Sequence, residues 1–276
     1  MIREEWEYLE HCVNALRYNN VPGGSNIAII NHTSRVELVK EEVLEMIPDV
    51  EPERIFCHSF EENAIGEAYA PFLAIIKDLM TFRNMPHEEL IEMAEVYPLH
   101  EMVFKSYFVS GMCTRMEEAL FSEVKFEKKR IIKAMADMLI ELSSNENIYI
   151  VLNRLNYAGA STWQMLDYLI STPACSNIKI LGLKNENAKV REHEELYKNR
   201  FDKKCNQIGC VYEWSINTGV VEEITENGFS FKGSEIEEYL ITTRNMCHFY
   251  ALADTRYFLD LIYQKVQIEN VEKKIG

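Results

Sequence analysis

The chain has 276 residues, of which 47% are hydrophobic, so it is long enough for one large domain or two smaller ones with a buried core. Its formal net charge of −15 argues against nucleic acid or an anionic membrane as a partner, because both bind positively charged surfaces. No segment has the roughly 18 consecutive apolar residues of a membrane span, and the N-terminus is too acidic for a signal peptide. We therefore expect a cytoplasmic location and no membrane partner.

The first predicted elements are a helix, a strand and a second helix. An amphipathic helix spans about Ile2 to Tyr18 and ends before a turn containing Pro and two Gly residues. The apolar run Ile27 to Ile30 predicts a short buried strand, and a helix is predicted over 36–47. The loop between them consists of Asn31, His32, Thr33, Ser34 and Arg35.

A second strand and a long helical region follow. The strand is predicted over Arg54–Ser59, and the phrase Tyr69-Ala70-Pro71-Phe72 opens an apolar helix. From Pro86 to Ser143 the apolar spacing is helical throughout, ending in a long helix from about Phe126. We interpret residues 86–143 as a helical insertion into the sheet-containing domain.

The most informative stretch of the sequence spans 147–169. An apolar run from Ile148 to Leu152 predicts a buried parallel strand, and a helix with an apolar stripe is predicted to start near Ser161. Asn153 and Arg154 lie directly after the strand. Because ligands of open α/β sheets bind at the carboxyl ends of the strands, these two residues and the Asn31–Arg35 loop are candidate binding residues.

Two more strands and a C-terminal extension complete the prediction. The strands are predicted over Asn177–Leu183 and Cys210–Ile216, with a charged helix over about 188–206 between them. Helical patterns return over 234–269. We therefore predict a parallel α/β domain of about five strands over 1–217 and a helical extension over 218–276, whose spacing is like that of the start of a helical-repeat region.

The phrase Leu152-Asn153-Arg154-Leu155-Asn156-Tyr157-Ala158-Gly159 resembles the Walker B segment of the signal-transduction branch of AAA-like P-loop ATPases. Such domains occur N-terminal to helical repeats in bacterial signalling proteins. In that family the strand ends in two acidic residues, then Leu, a polar residue, Trp and Ala. This chain keeps Leu155 and Ala158 and has Tyr157 in place of the Trp. The resemblance implies a three-layer, P-loop NTPase-like α/β fold.

Both nucleotide-binding motifs of that family have lost their chemistry in this sequence. Asn153 and Arg154 replace the two acids, of which one holds Mg²⁺ and the other orients the attacking water. No glycine occurs between Asn26 and Lys40, and the alignment puts Arg35 at the position of the phosphate-binding Lys. Val36, at the position of the Mg²⁺-binding Ser or Thr, offers no oxygen. The resemblance therefore implies an ATPase domain that no longer hydrolyses ATP.

The predicted function is a pseudo-ATPase signalling or scaffolding module that senses a ligand or mediates protein–protein interaction. We expect no catalytic residue, metal or obligatory cofactor. Nucleotide binding without hydrolysis stays open, since Arg35 and a helix N-terminus can hold an anion. Lys184 or Asn185 would then lie at the family's sensor position. The expected partners are another protein or further domains of the same polypeptide, of which this chain would be the N-terminal part.

The alternative is an ATP-binding molecular switch with a non-standard nucleotide site. It requires a carboxylate close to the Arg35 loop, and the nearest in sequence are Glu37, Glu61 and Glu62. The seven cysteines offer no pair of ligand-spaced motifs, although Cys205 and Cys210 are close enough in sequence to suggest half a metal site. We interpret the cysteines as reduced structural thiols.

Overall fold

The computed structural model describes residues 3–32, 36–62, 69–110, 124–185 and 192–214. Two compact units divide the chain, and among the described residues the boundaries fall after Val96 and after Ile131. The unit that contains the sheet is made of the segments before Tyr97 and from Ile132 onward. The predicted extension over 218–276 and the predicted boundary at 217 lie outside the described residues and stay predictions.

Five parallel strands form a single sheet in the first unit, which confirms the α/β class and is consistent with a P-loop NTPase-like fold. In the sheet the strands are ordered β2-β3-β4-β1-β5. The bounds are β1 Ile27–His32, β2 Ile55–Ser59, β3 Ile148–Asn153, β4 Ile178–Asn185 and β5 Val211–Trp214.

The described part of the chain contains eight α-helices. They are α1 Arg3–Arg17, α2 Lys40–Met46, α3 Phe72–Phe82, α4 His87–Met93, α5 Pro98–Ser110, α6 Val124–Leu142, α7 Ala160–Leu169 and α8 Glu192–Ile208. Of these helices, α5 belongs to the second unit and α6 crosses the boundary at Ile131. Residues 111–123 of the predicted helical region lie outside the described residues.

The strand order places helices on both faces of the sheet. From β1 the chain crosses to β2 in one direction, whereas from β4 it crosses over β1 to β5 in the other. Because such crossovers are right-handed, α2 and α8 lie on opposite faces. Two lysines of β4 agree with this, since Lys179 donates to Asn19 after α1 while Lys184 donates to Asp202 of α8. The sheet is therefore the middle of three layers.

The inner strands are buried on both faces, which explains their continuous apolar sequences. Every residue of β3 is buried, and so is every residue of β4 before Asn185. On the face of α8, the fully buried Trp163 of α7 lies against Phe201 with ring centroids 5.6 Å apart. Gly182 of β4 gives room on this face, because a Cβ there would lie 2.7 Å from side-chain atoms of Ile29 and Leu155.

Helix α2 begins at Lys40, so the predicted start at Val36 is wrong. Val39 is extended, with φ −98° and ψ 163°, and Leu38 is fully buried. The backbone of Leu38 bonds to the Asn153 side chain rather than to a helical turn. A tertiary contact therefore delays the helix, which local sequence could not indicate.

In the second unit, aromatic side chains of α5 pack on one another. Phe104 and Phe108 are stacked with centroids 6.0 Å apart, and Tyr107 meets Phe108 edge-on at 5.9 Å. The guanidinium of Arg130 lies 4.3 Å from the ring centroid of Tyr97. These contacts are apolar and cationic packing and offer no group for chemistry.

Replacing Lys179 by methionine is expected to raise the free energy of unfolding at neutral pH by about 1–2 kcal/mol, because it removes a charge buried in the sheet. Lys179 is 2% exposed and burial lowers its pKa, while its partner Asn19 is exposed and can bind water instead. Urea unfolding of both proteins measures the difference.

The gain from Lys179→Met should shrink as the pH rises. The pKa of Lys179 is lower in the folded state than in the unfolded state. At pH values between these two pKa values, the unfolded native chain therefore binds more protons than the folded chain. The native chain therefore gains stability with pH across that window, whereas the methionine variant does not. A gain that stays constant into the alkaline range would contradict this assignment.

Candidate functional site

The carboxyl edge of the sheet is where the fold predicts a ligand site, since the chain leaves β1 and β4 in opposite directions there. Of the predicted binding residues, Asn31 and His32 end β1, Asn153 ends β3, and Arg154 follows it. Strand β4 lies between β1 and β3, with Lys184 aligned to Asn31 and Asn185 aligned to His32. Thr33, Ser34 and Arg35 lie outside the described residues.

The side chain of Asn153 closes onto the backbone of Leu38. Its Oδ1 accepts from the Leu38 N–H at 2.9 Å, and its Nδ2 donates to the Leu38 carbonyl at 2.9 Å and to Ser59 Oγ at 3.2 Å. Only 2% of Asn153 is exposed. Both amide hydrogens and one side of the oxygen are thus used inside the protein. Asn153 therefore holds the chain after β1 against β3.

A second asparagine makes the same kind of pair one turn later. Asn156 lies in the 3₁₀ turn Leu155–Tyr157; its Nδ2 donates to the Asn185 carbonyl at 2.8 Å, and its Oδ1 accepts from the Asn185 N–H at 2.6 Å. Asn185, one of the predicted sensor residues, is therefore held through its backbone. Sequence reasoning did not single out Asn156; its spacing of three residues from Asn153 was the available signal.

Arg154 pairs with a carboxylate of the same unit. It has a left-handed backbone with φ 53°, and its Nε lies 3.7 Å from Glu37 Oε1. The other oxygen of Glu37 accepts from Ser59 Oγ at 3.1 Å. The side chains of Arg154 and Glu37 are 38% and 44% exposed, so their ion pair is weak. Glu37, the carboxylate that a nucleotide switch would use, thus faces a cation.

Lys184, the other predicted sensor residue, is bound within the fold. Its Nζ donates to Asp202 Oδ1 at 2.7 Å, and its side chain is 9% exposed. The second oxygen of Asp202 lies 3.1 Å from Lys198 Nζ on the next turn of α8. The lysine head at the carboxyl end of β4 therefore points to a helix of the same unit.

The start of α2 is likewise occupied by the protein's own charges. Glu41 and Glu42 lie in its first turn, and the carboxylate of Glu42 accepts from the Val39 N–H at 3.0 Å. Carboxylates at a helix N-terminus take up the partial positive charge that would otherwise attract a phosphate. With only seven residues, α2 also provides a small dipole.

No group of three or more His, Cys, Asp or Glu side chains that could hold a metal ion occurs within the described ranges. His32 is 3% exposed at the end of β1. Burial lowers the pKa of His58, so its imidazole is mainly neutral at pH 7. The ring of His58 meets that of Phe60 edge-on, with centroids 4.5 Å apart. The described histidines at this edge thus belong to no such group.

No protein-family model matches this sequence, and no curated protein matches it. Among solved structures, the chain is similar to one in the structure of Drosophila ORC bound to AT-rich DNA and Cdc6. The two are 10% identical with a TM-score of 0.33, and the match covers 98% of this chain and 85% of the other. A likeness at that TM-score supports no statement about function. Over the described residues, no helix has the length and apolar character to cross a membrane.

Proposed function

We propose that this chain is a non-catalytic, pseudo-ATPase signalling or scaffolding module, which uses a P-loop-like sheet to sense a ligand or contact another protein. The observation that carries the proposal is the closure of Asn153 onto the backbone of Leu38. A hydrolytic site needs a carboxylate free to hold the water shell of Mg²⁺ at this strand end. Here an amide stands there, and its hydrogen bonds are made within the fold.

The neighbouring groups support the same conclusion. Arg154 would repel a metal and pairs with Glu37, while Lys184 pairs with Asp202. Asn153, Arg154 and Lys184 therefore already have partners within the fold, and a nucleotide that recruited them would break contacts that hold the sheet edge together. The partner of such a module is a protein or a further domain of the same polypeptide.

We expect that ATP with Mg²⁺ at millimolar concentration does not change the thermal midpoint of the full chain. A ligand at 100 times its dissociation constant would stabilise the fold by about 2.7 kcal/mol, which is a rise of roughly 5–10 °C for a domain of this size. Differential scanning calorimetry with ATP, ADP and no nucleotide measures this. A rise of that size which Arg35→Ala abolishes and Arg200→Ala keeps would contradict this expectation, because it would show that the loop after β1 binds nucleotide, and it would favour the second candidate described next. The Arg200 side chain is 75% exposed, so its loss controls for removing a surface charge.

The second candidate is an ATP-binding switch, which needs a carboxylate at the carboxyl edge of the sheet. One observation favours it: the Glu37 carboxylate lies between Ser59, which ends β2, and Arg154, which follows β3. The same calorimetry separates the candidates. A nucleotide-dependent rise that requires Mg²⁺ and disappears in Glu37→Gln would assign the metal-binding role to Glu37 and favour the switch.

A further inference from the structure

Two cysteines that lie apart in sequence meet at the end of α8. The helix ends at Ile208 and is followed by Gly209, whose φ is +81°. The N–H groups of Gly209 and Cys210 both donate to the Cys205 carbonyl, at 2.9 and 3.2 Å. In this type of helix ending the side chains three residues before and two after the end contact each other. Those positions are Cys205 and Cys210, and both residues are fully buried.

The two free thiols are hydrogen-bonded to each other, and that of Cys210 also contacts the last turn of α8. Cys210 Sγ lies 3.6 Å from the Cys205 carbonyl oxygen. The Cys205 thiol donates to the Cys210 sulfur, which lowers the pKa of Cys210 and raises that of Cys205. Cys12 and Cys175 instead have pKa values raised to about 12 by burial. Among the described cysteines, Cys210 is the one whose pKa is lowered, and the cause is its hydrogen bond with Cys205.

We propose that Cys205 and Cys210 form a thiol–disulfide site that low-molecular-weight disulfides oxidise to an intramolecular disulfide. The Cys210 thiolate attacks one sulfur of oxidised glutathione, which forms a mixed disulfide and releases one glutathione thiolate. The Cys205 thiolate then attacks the Cys210 sulfur, releases the second glutathione thiolate and closes the Cys205–Cys210 bond. The two protein thiols lose two electrons and two protons, and one oxidised glutathione becomes two reduced ones.

The bond would fix the last turn of α8 to the start of β5. The carbonyl of Cys210 accepts from the Ile29 N–H at 2.9 Å, which begins the pairing of β5 with β1. Gly209 is exposed, so opening of this single turn admits the oxidant to Cys210. Oxidation would therefore act on the attachment of an edge strand, a property separate from nucleotide binding.

The test incubates the full chain with oxidised glutathione, quenches with acid, alkylates in denaturant and maps tryptic peptides by mass spectrometry. Cys205 and Cys210 share one peptide, since no Lys or Arg lies between them. We expect to find this peptide unalkylated, with a mass lower by two hydrogen atoms than that of its reduced form. In the same sample Cys175 should still be alkylated. The half-buried Cys57 is the control, since its oxidation shows that the glutathione reaction has taken place. If Cys57 is oxidised in folded protein while Cys205 and Cys210 are both still alkylated, the proposal is overturned.

Two variants test the order of the steps. In Cys205→Ser the reaction is expected to stop at the mixed disulfide, so that one glutathione stays on Cys210. In Cys210→Ser we expect Cys205 to remain alkylatable. Glutathione retained on Cys205 in Cys210→Ser, with none on Cys210 in Cys205→Ser, would contradict the proposed roles. The mapping of the unaltered chain decides the disulfide itself whether or not these variants fold.

Discussion

Replacing Asn153 by alanine is expected to lower the free energy of unfolding by roughly 3 kcal/mol, because two buried backbone groups lose their partners at once. The Leu38 N–H and carbonyl both bond to this side chain, and Leu38 is fully buried. For a domain of this size the thermal midpoint should fall by roughly 6–12 °C. Urea unfolding measures the change, with Asn206→Ala on the exposed face of α8 as the matched control.

The change of Asn153 to aspartate tests the same contact with opposite chemistry. An aspartate can accept from the Leu38 N–H, but ionised it faces the Leu38 carbonyl with like charge in a buried site. Its folded pKa should therefore be raised above the ordinary value. Below the unfolded pKa the aspartic acid is neutral in both states, and Asn153→Asp has its full free energy of unfolding. That stability is lost as the pH rises through the folded pKa. Equal stability of Asn153→Asp and the native chain at pH 7 would show that the amide does not hold Leu38.

Replacing Asp202 by asparagine is expected to cost about 2–4 kcal/mol of unfolding free energy, since it leaves Lys184 as a buried charge without a counter-ion. Lys184 is 9% exposed and Asp202 is 23% exposed, so the charge of Lys184 is screened little by water. Calorimetry at neutral pH measures the loss. Lys198, which pairs with the other oxygen of Asp202, has a more exposed head and should contribute less.

The double variant Asp202→Asn, Lys184→Met separates charge burial from packing. Removing both charges should recover at least half of the lost stability, because methionine fills the space of the lysine stem without needing a counter-ion. Lys198→Met in the Asp202→Asn background is the matched control and should recover little. If Lys184→Met restores nothing, the effect of Asp202→Asn is not one of an unpaired buried lysine.

Much of the fold is predictable because its signals are local. The continuous apolar run Ile148–Leu152 gives β3, and the alternation of such runs with amphipathic helices gives the parallel α/β class. Boundaries that depend on tertiary contacts are not predictable in this way. The start of α2 moves from Val36 to Lys40 because a side chain 115 residues away takes the backbone of Leu38.

The candidate site follows the same division. The strand ends place Asn153 and Arg154 correctly at the sheet edge, since strand ends can be read from hydrophobicity. Their partners Leu38 and Glu37 come from the loop after β1, so sequence could not pair them with Asn153 and Arg154. The absence of two acidic residues also does not predict which contacts Asn153 and Arg154 make instead. The binding roles of Asn31, His32 and the Thr33–Arg35 segment stay predictions, which the nucleotide calorimetry tests.

The strand order also governs when the sheet can assemble during synthesis. Strand β1 is made early, yet its neighbours are β4 and β5, with Ile27 aligned to Ile180 and Ile29 aligned to Val211. The pair β2 and β3 can form first, but the nascent β1 has no strand beside it until β4 has left the ribosome. Its run of four buried apolar residues is exposed for that interval, so a chaperone that binds apolar segments has its clearest early target at Ile27–Ile30.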